Sequence, residues 1–173
     1  MGSLVDYDKH YRKGRGQCGE PFPVLAQALG EVEPPARVLD LGCGQGRDAL
    51  LAARMGHEVV GVDLSKIGIA QMLEDADAEG LHVEGIVSDV LEFRSRRKFD
   101  VVILDRVLHL LLDDEERARC LERVATLTKK RGRVLIADTP KHARLIHAFF
   151  ECDDWAVTKR TKNYLFATRR QEA

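Results

Sequence analysis

Residues 38–65 read VLDLGCGQGRDALLAARMGHEVVGVDLS, and this stretch decides the fold. An apolar run, Val38 to Leu41, meets glycines at alternate positions, Gly42, Gly44 and Gly46. The spacing that follows, DALLAARM, is helical and stops at Gly56, a residue suited to a helix C-terminus. A second apolar run, EVVGVD, ends at Asp63, and Ser65 stands ready to cap another helix. Strand, glycine turn, helix and strand in this order predict a parallel βαβ unit.

The pattern continues on both sides. Pro34-Pro35 blocks any helix leading into the first strand. Downstream, HVEGIVSD and FDVVILD read as strands, the second so uniformly apolar that burial on both faces is expected. DDEERARCLERVATLTKK reads as an amphipathic helix, acidic at its start and basic at its end, which suits the helix dipole. GRVLIADT is a fifth strand and KHARLIHAFF a helix. WAVTKRT and NYLFATRR have no helix between them and so pair antiparallel. The expected fold is α/β: a doubly wound, seven-stranded, mainly parallel sheet with an antiparallel last strand, in one domain over 1–173.

Composition narrows the function. The 173 residues are 45% hydrophobic and 32% charged, with a formal net charge of −1, which is not the basic excess of a dedicated nucleic-acid binder. No apolar run is long enough for a membrane span, and the charged start, MGSLVDYDKHYRKGRG, is unlike a secretory signal. Cys18, Cys43, Cys120 and Cys152 are too scattered for a disulfide framework or a zinc site, so a cytoplasmic protein with reduced thiols and no bound metal is expected.

Ligands of open α/β sheets bind beyond the carboxyl ends of the strands. That rule points to Gly42–Gly46, Asp63, Asp89, Asp105 and Thr139. The glycines allow a ligand to approach the backbone, and the helix start behind them favours an anionic group. A dinucleotide's pyrophosphate or the amino-acid end of S-adenosylmethionine would fit there. Against the dinucleotide, the third glycine comes one residue early for G-x-G-x-x-G, and Arg47 occupies the motif's glycine position. Asp63, 21 residues after Gly42, suits ribose hydroxyls in either case. Asp89 and the Val90 amide suit an adenine edge.

These residues resemble the first motifs of the class I S-adenosylmethionine-dependent methyltransferases. The form GCGQGRDALLAARMGHEVVGVD, with a short chain ending WAVTKRTKNYLFATRR, is similar to the tellurite-resistance subgroup. The resemblance implies a Rossmann-like methyltransferase fold with S-adenosylmethionine as cofactor. It implies Gly42, Gly44 and Gly46 for the methionine moiety, with Asp40 near the amino group. Asp63 falls at the ribose and Asp89 with Val90 at the adenine, with Leu64, Asp105 and Arg12 as further cofactor contacts. Relatives place an insertion after the fifth strand as a cover, whereas Pro140 to Asp154 has room for one helix. A lid over 1–24, or a second subunit in a homodimer, is therefore expected to close the site. Tyr7 and Tyr11, four residues apart on one helical face, and Arg12 become candidates for substrate or cofactor contact.

Arg106 and His109 follow the fourth strand. Arg106 suits an anionic substrate, and His109 a general base for a hydroxyl acceptor; a thiolate or chalcogen oxyanion would need no base. Cys18 is a candidate thiol or metalloid contact. LDRVLH stands where nucleic-acid amino methyltransferases carry N/D-P-P-Y/F, and there is no Pro-Cys nucleophile, so a small-molecule acceptor is expected, with neither nucleic acid nor membrane as partner. The competing readings are a nicotinamide-dependent oxidoreductase and a non-catalytic S-adenosylmethionine-binding partner protein.

Overall fold

The computed structural model describes residues 6–171. Its strands are β1 (Arg37–Leu41), β2 (Glu58–Asp63), β3 (Val83–Val87), β4 (Phe99–Asp105), β5 (Thr128–Ala137), β6 (Trp155–Arg160) and β7 (Tyr164–Arg169). Six helices accompany them: α1 (Tyr7–Tyr11), α2 (Pro23–Gly30), α3 (Arg47–Arg54), α4 (Lys66–Ala78), α5 (Asp114–Leu127) and α6 (Ala143–Phe150). The strands form a seven-stranded sheet in the order β3-β2-β1-β4-β5-β7-β6, parallel except where β7 pairs with β5 and with β6. This is the expected class of sheet. The chain packs as two compact units that divide between Phe93 and Arg94.

In the first unit, β1 pairs with β2 from Arg37 opposite Glu58 to Leu41 opposite Val62, and β2 with β3 from Val59 opposite Val83. The core gathers Leu39 and Leu41 of β1, Val62 of β2, Met72 of α4, and Leu25 and Leu29 of α2, all fully buried. Helix α2 falls in a polar region punctuated by Gly and Pro, where the sequence pattern predicts no helix. Pro23 opens it at a position that needs no amide donor, and Leu25, Ala28 and Leu29 make one buried face. β3 is shorter than the sequence suggests. It ends at Val87, so Asp89 lies two residues beyond the strand in a turn, where its Oδ1 accepts the Leu91 amide at 2.8 Å.

In the second unit, β4 is buried along nearly its whole length, as its composition requires. Trp155 of β6 meets the Phe150 ring of α6 edge to face, centroids 4.9 Å apart, and Arg169 lies over the indole ring at 5.9 Å. Helix α5 stops earlier than expected. Its last turn holds no basic residue, because Thr128 to Lys130 are drawn into β5, where Lys129 pairs with Asp100 at 2.8 Å. The basic helix end read from the sequence is thus a strand, and sheet pairing overrides the local pattern.

Candidate functional site

The glycine turn is anchored to the end of β2. The amides of Gly42 and Cys43 both donate to the Val62 carbonyl, at 2.7 and 3.0 Å. Gly42, Gly44 and Gly46 all have φ between +55 and +88, a left-handed backbone that a side chain disfavours. Cys43, between them, is buried, as a small filler would be. Asp63 ties the turn from the other strand. Its Oδ2 accepts the Gly44 amide and its Oδ1 the Ser65 amide, both at 2.8 Å. Burial raises the Asp63 carboxyl while these amides oppose the rise.

Asp40 lies beneath the turn and is only 2% exposed. Its Oδ2 has no hydrogen-bond partner, and its carboxyl is pushed well above the usual range by burial first and by the Asp48 carboxylate second. A buried acceptor of this kind is stabilised by a cation at hydrogen-bond distance. Leu64 is an exposed apolar side chain directly after Asp63 (60% exposed), and Val87, at the end of β3, is a second. A cationic amino group for Asp40, hydroxyls for Asp63 and an apolar ring for Leu64 together describe an amino-acid-bearing nucleoside. The residues present fit S-adenosylmethionine.

A strap over residues 6–22 lies across this turn, within the span expected to act as a lid; residues 1–5 of that span are outside the described residues. Asp8 accepts the Ser65 hydroxyl at 2.5 Å and the Ile67 amide at 3.2 Å, which caps α4 and holds the Asp8 carboxyl below its ordinary value. Tyr11 is buried, and a Cβ built on Gly44 would stand 2.5 Å from its hydroxyl and 3.2 Å from the Cys18 Sγ. Burial is the main cause of a raised Tyr11 phenol. Tyr7 packs on Tyr11, centroids 5.8 Å apart, whereas Arg12 points to solvent at the end of α1.

Further stitches come from Gln45 and Arg15, which the sequence pattern does not single out, and from Arg47. Gln45 accepts the Gln17 amide and donates to the Gly14 carbonyl, each at 2.8 Å. Arg15 reaches Glu74 and Asp75 on α4. Arg47 donates to the Cys18 carbonyl at 3.0 Å, lies over the Phe22 ring at 5.0 Å and pairs with Asp48 at 2.7 Å. The residue that breaks the dinucleotide motif is therefore one of those that fasten the strap.

The second unit holds the remaining candidates. Asp105 is buried at the end of β4, and the Arg106 Nε lies 3.6 Å from its Oδ1. Arg106 has φ +54, unusual outside glycine, and its amide donates to the Ala137 carbonyl at 2.7 Å. His109 sits in a 3-10 turn, Leu108–Leu110, with Nδ1 3.5 Å from the Oδ2 of Asp138. Asp138 is absent from the sequence reading. Its signal is a further strand-end acid, in IADT, one residue before Thr139.

A family model described as a methyltransferase domain matches residues 33–167. The chain belongs to this methyltransferase family. Residues 33–167 are accordingly a methyltransferase domain, which speaks against the nicotinamide alternative. The chain is similar to the ubiquinone biosynthesis O-methyltransferase of Bradyrhizobium diazoefficiens, 33% identical over 101 residues, covering 58% of this chain and 39% of that one. It is similar to the S-adenosyl-L-methionine-dependent methyltransferase TehB of Haemophilus influenzae, 31% identical over 81 residues, or 47% and 28% of the two chains. The chain thus spans less than half the length of these relatives. In fold it resembles the crystal structure of that TehB, with a TM-score of 0.73 at 17% identity over 95% of this chain and 67% of the other. The magnesium protoporphyrin IX methyltransferase of Synechocystis PCC 6803 gives 0.72 at 23% identity over 98% and 86%.

Proposed function

We propose that this protein transfers a methyl group from S-adenosylmethionine to a small molecule. The observation that carries the reading is the buried, unpartnered Oδ2 of Asp40 under a glycine turn that Asp63 ties to β2. When bound, S-adenosylmethionine supplies a methyl group already activated on a sulfonium. Catalysis then rests largely on alignment, which can lower a barrier by several kcal/mol.

In this reading Asp40 and the turn of Gly42, Gly44 and Gly46 hold the amino-acid end, Asp63 the ribose hydroxyls, and Leu64, Asp89 and Val90 the adenine. Tyr11 and Tyr7 close the strap over the turn, with Arg12 at its edge. Asp105 supports the cofactor site, Arg106 draws an anionic acceptor, and His109 acts on the acceptor's proton. A small-molecule acceptor is in keeping with the names of the relatives above, and a thiol, metalloid or chalcogen compound is the class the tellurite-resistance likeness suggests. No helix among the described residues is long and apolar enough to cross a membrane. A cytoplasmic enzyme, with a second copy covering the acceptor side, completes the proposal.

The test is a thermal-shift series with S-adenosylhomocysteine, S-adenosylmethionine and NADH on the wild type and Asp63→Ala. A ligand at about 100 times its Kd stabilises by roughly 2.7 kcal/mol, or roughly 5–10 °C for a domain of this size. A shift with the adenosyl ligands that Asp63→Ala loses supports the reading; a shift with NADH alone overturns it. Turnover with labelled S-adenosylmethionine then separates an enzyme from a binding protein.

A further inference from the structure

The formal charge of −1 is the balance of two opposite halves. Residues 1–93 carry 8 Lys and Arg against 16 Asp and Glu, a formal −8, and residues 94–173 carry 19 against 12, a formal +7. The total, which argues against a nucleic-acid binder, conceals this division, and it falls where the two compact units divide. Asymmetry of this size points to a charged partner for one half.

Within the second unit, cations gather at one end of the sheet. Arg96, Arg97 and Lys98, all exposed, lead into β4. The start of β5 lies beside them. The register passes from Phe99 opposite Thr128 to Val101 opposite Arg133, so residues 129–132 stand against Asp100 alone. These four residues make a tight turn, in which a Cβ on Gly132 would lie 2.9 Å from the Lys129 carbonyl oxygen and 3.1 Å from that of Asp100. Lys129 folds back on Asp100, while Lys130 and Arg131 at the tip are exposed. On the other side of β5, Arg169 at the end of β7 donates to the Ala125 and Thr128 carbonyls at 2.7 and 2.8 Å. That bond sets the exposed Arg170 near the same strand start. Because β4, β5 and β7 are neighbours, the three strand ends span roughly 10 Å.

Among the described residues no carboxylate pairs with Arg96, Arg97, Lys98, Arg131 or Arg170. Asp153 and Asp154 border the patch, where the Arg170 amide donates to the Asp154 carbonyl at 2.7 Å. Arg131 has φ +63, a left-handed backbone that glycine or asparagine adopts at less cost. Packing does not account for an arginine there, since its side chain is exposed; presentation of its charge does.

The patch also lacks apolar anchors. The exposed large hydrophobic residues among those described, Leu64, Val87 and Leu112, all lie elsewhere, and Phe99 and Trp155 are buried. Protein interfaces have an apolar core, and lasting membrane attachment needs an inserted chain or apolar face besides charge. Single strands are held by aromatic side chains stacked on their bases. Cations alone suit a dense and regular polyanion, and a nucleic-acid duplex carries about one charge per 1.7 Å of its axis.

We propose that the edge formed by the amino ends of β4 and β5 and the end of β7 docks double-helical nucleic acid through its phosphates, without reading base sequence. Ligands of open sheets bind at the opposite, carboxyl ends of the strands, so this edge serves for docking and not for methyl transfer. The proposal is independent of the small-molecule reaction described above.

Fluorescence anisotropy of the full chain with labelled RNA and DNA duplexes of about 24 base pairs tests it. At least one duplex binds, with Kd of roughly 1–100 µM near physiological salt. With four phosphates neutralised, affinity falls roughly 150-fold between about 50 and 200 mM salt. At about 100 mM salt, Arg97→Glu and Arg131→Gly each weaken binding about tenfold and reduce the salt slope by about 1. Arg131→Gly does so with Tm unchanged or raised, because glycine relieves the left-handed backbone; a merely structural arginine would give a lower Tm. Lys162→Glu makes the same change of charge in the turn between β6 and β7, roughly 17 Å along β7 from the patch, and leaves affinity within about twofold. A preference for the RNA or the DNA duplex identifies the helix and supports the proposal either way. No duplex binding at about 50 mM salt overturns it. So does tighter binding to polyglutamate, to phosphatidylserine vesicles or to the separated strands, an equal loss in Lys162→Glu, or unchanged affinity in Arg97→Glu and Arg131→Gly.

Discussion

Gly68 lies in the first turn of α4, and alanine there should destabilise the protein although alanine is the better helix former. The helix itself would gain about 1 kcal/mol. The space is not there to take the methyl group. A Cβ on Gly68 would come 2.7 Å from the Gly44 carbonyl oxygen and 3.0 Å from its carbon, with the Tyr11 ring edge at 3.1 Å. The tyrosine could swing aside; the carbonyl cannot readily do so. Gly44 is already left-handed at φ +55, and its amide is fixed on Asp63 at 2.8 Å. Overpacking costs about 1–3 kcal/mol, and a fixed carbonyl puts this site in the upper part of that range, about 2–3 kcal/mol, so the net loss is about 1–2 kcal/mol and Tm falls by roughly 2–8 °C. Gly30→Ala is the control. It lies at the end of α2 with no atom within 4 Å of an added Cβ, and should be neutral or stabilising by a few tenths of a kcal/mol. Differential scanning calorimetry gives both stabilities, and titration calorimetry with S-adenosylhomocysteine should show weaker binding for Gly68→Ala alone. If Gly68→Ala raised Tm as Gly30→Ala does, with cofactor affinity intact, the claim that α4 and the glycine turn are packed backbone to side chain would be wrong.

Leu64→Ser should leave urea stability within about 0.5 kcal/mol, because the side chain is 60% exposed, yet weaken S-adenosylhomocysteine binding about tenfold, as expected from losing roughly 1–2 kcal/mol of apolar burial. Arg47→Met should cost about 3 kcal/mol by stranding the buried Asp48, and should expose residues 13–22 to limited proteolysis under native conditions; unchanged protection there would refute the fastening role. His57 is buried, its Nδ1 accepts the Ala36 amide at 3.2 Å, and burial lowers it from the ordinary 6.5. The unfolded chain then binds the extra proton first, so stability is complete above about pH 6.5 and declines as pH falls below it. Burial lowers His142 too, adding to the same trend. Urea titrations between pH 7.5 and 5.5 should show this slope, and His57→Asn, which keeps an acceptor, should reduce it to the part that His142 contributes.

What the sequence disclosed and what it withheld follow from range. The glycine turn, Asp63 and the Ser65 cap are consequences of local backbone geometry, and the structure places each as the spacing implies. The class of the sheet and its antiparallel ending follow from alternation and connection length. The end of α5 could not be read that way, since Lys129 and Lys130 belong to β5 only because β4 lies beside it. Helix α2 was hidden by the glycines and prolines around it, though Pro23 and the Leu25–Leu29 spacing were its trace. Asp138 and the strap contacts were beyond reach for a different reason. Pairs such as Asp8 with Ser65, Gln17 with Gln45 and Asp138 with His109 join residues 28–57 positions apart, and nothing in either local pattern announces its partner.

Arg47 connects these two kinds of information. In a dinucleotide-binding turn the glycine at this point allows close helix–strand packing. Here the third glycine comes one residue earlier, and Gly46 supplies the close approach instead: a Cβ there would collide with the Met72 side chain. Position 47 is thereby released from packing and can carry a long side chain out over Phe22 and the Cys18 carbonyl. The shift of one residue thus does two things together. It shapes the turn for an amino-acid end over the unpartnered Asp40 oxygen, and it frees a guanidinium to hold the strap, with Tyr11, across that turn. A single Arg47→Gly substitution should accordingly not restore a dinucleotide site. It should loosen residues 13–22 and weaken S-adenosylhomocysteine binding without any gain in NADH affinity, and fluorescence titration with NADH gives the deciding reading.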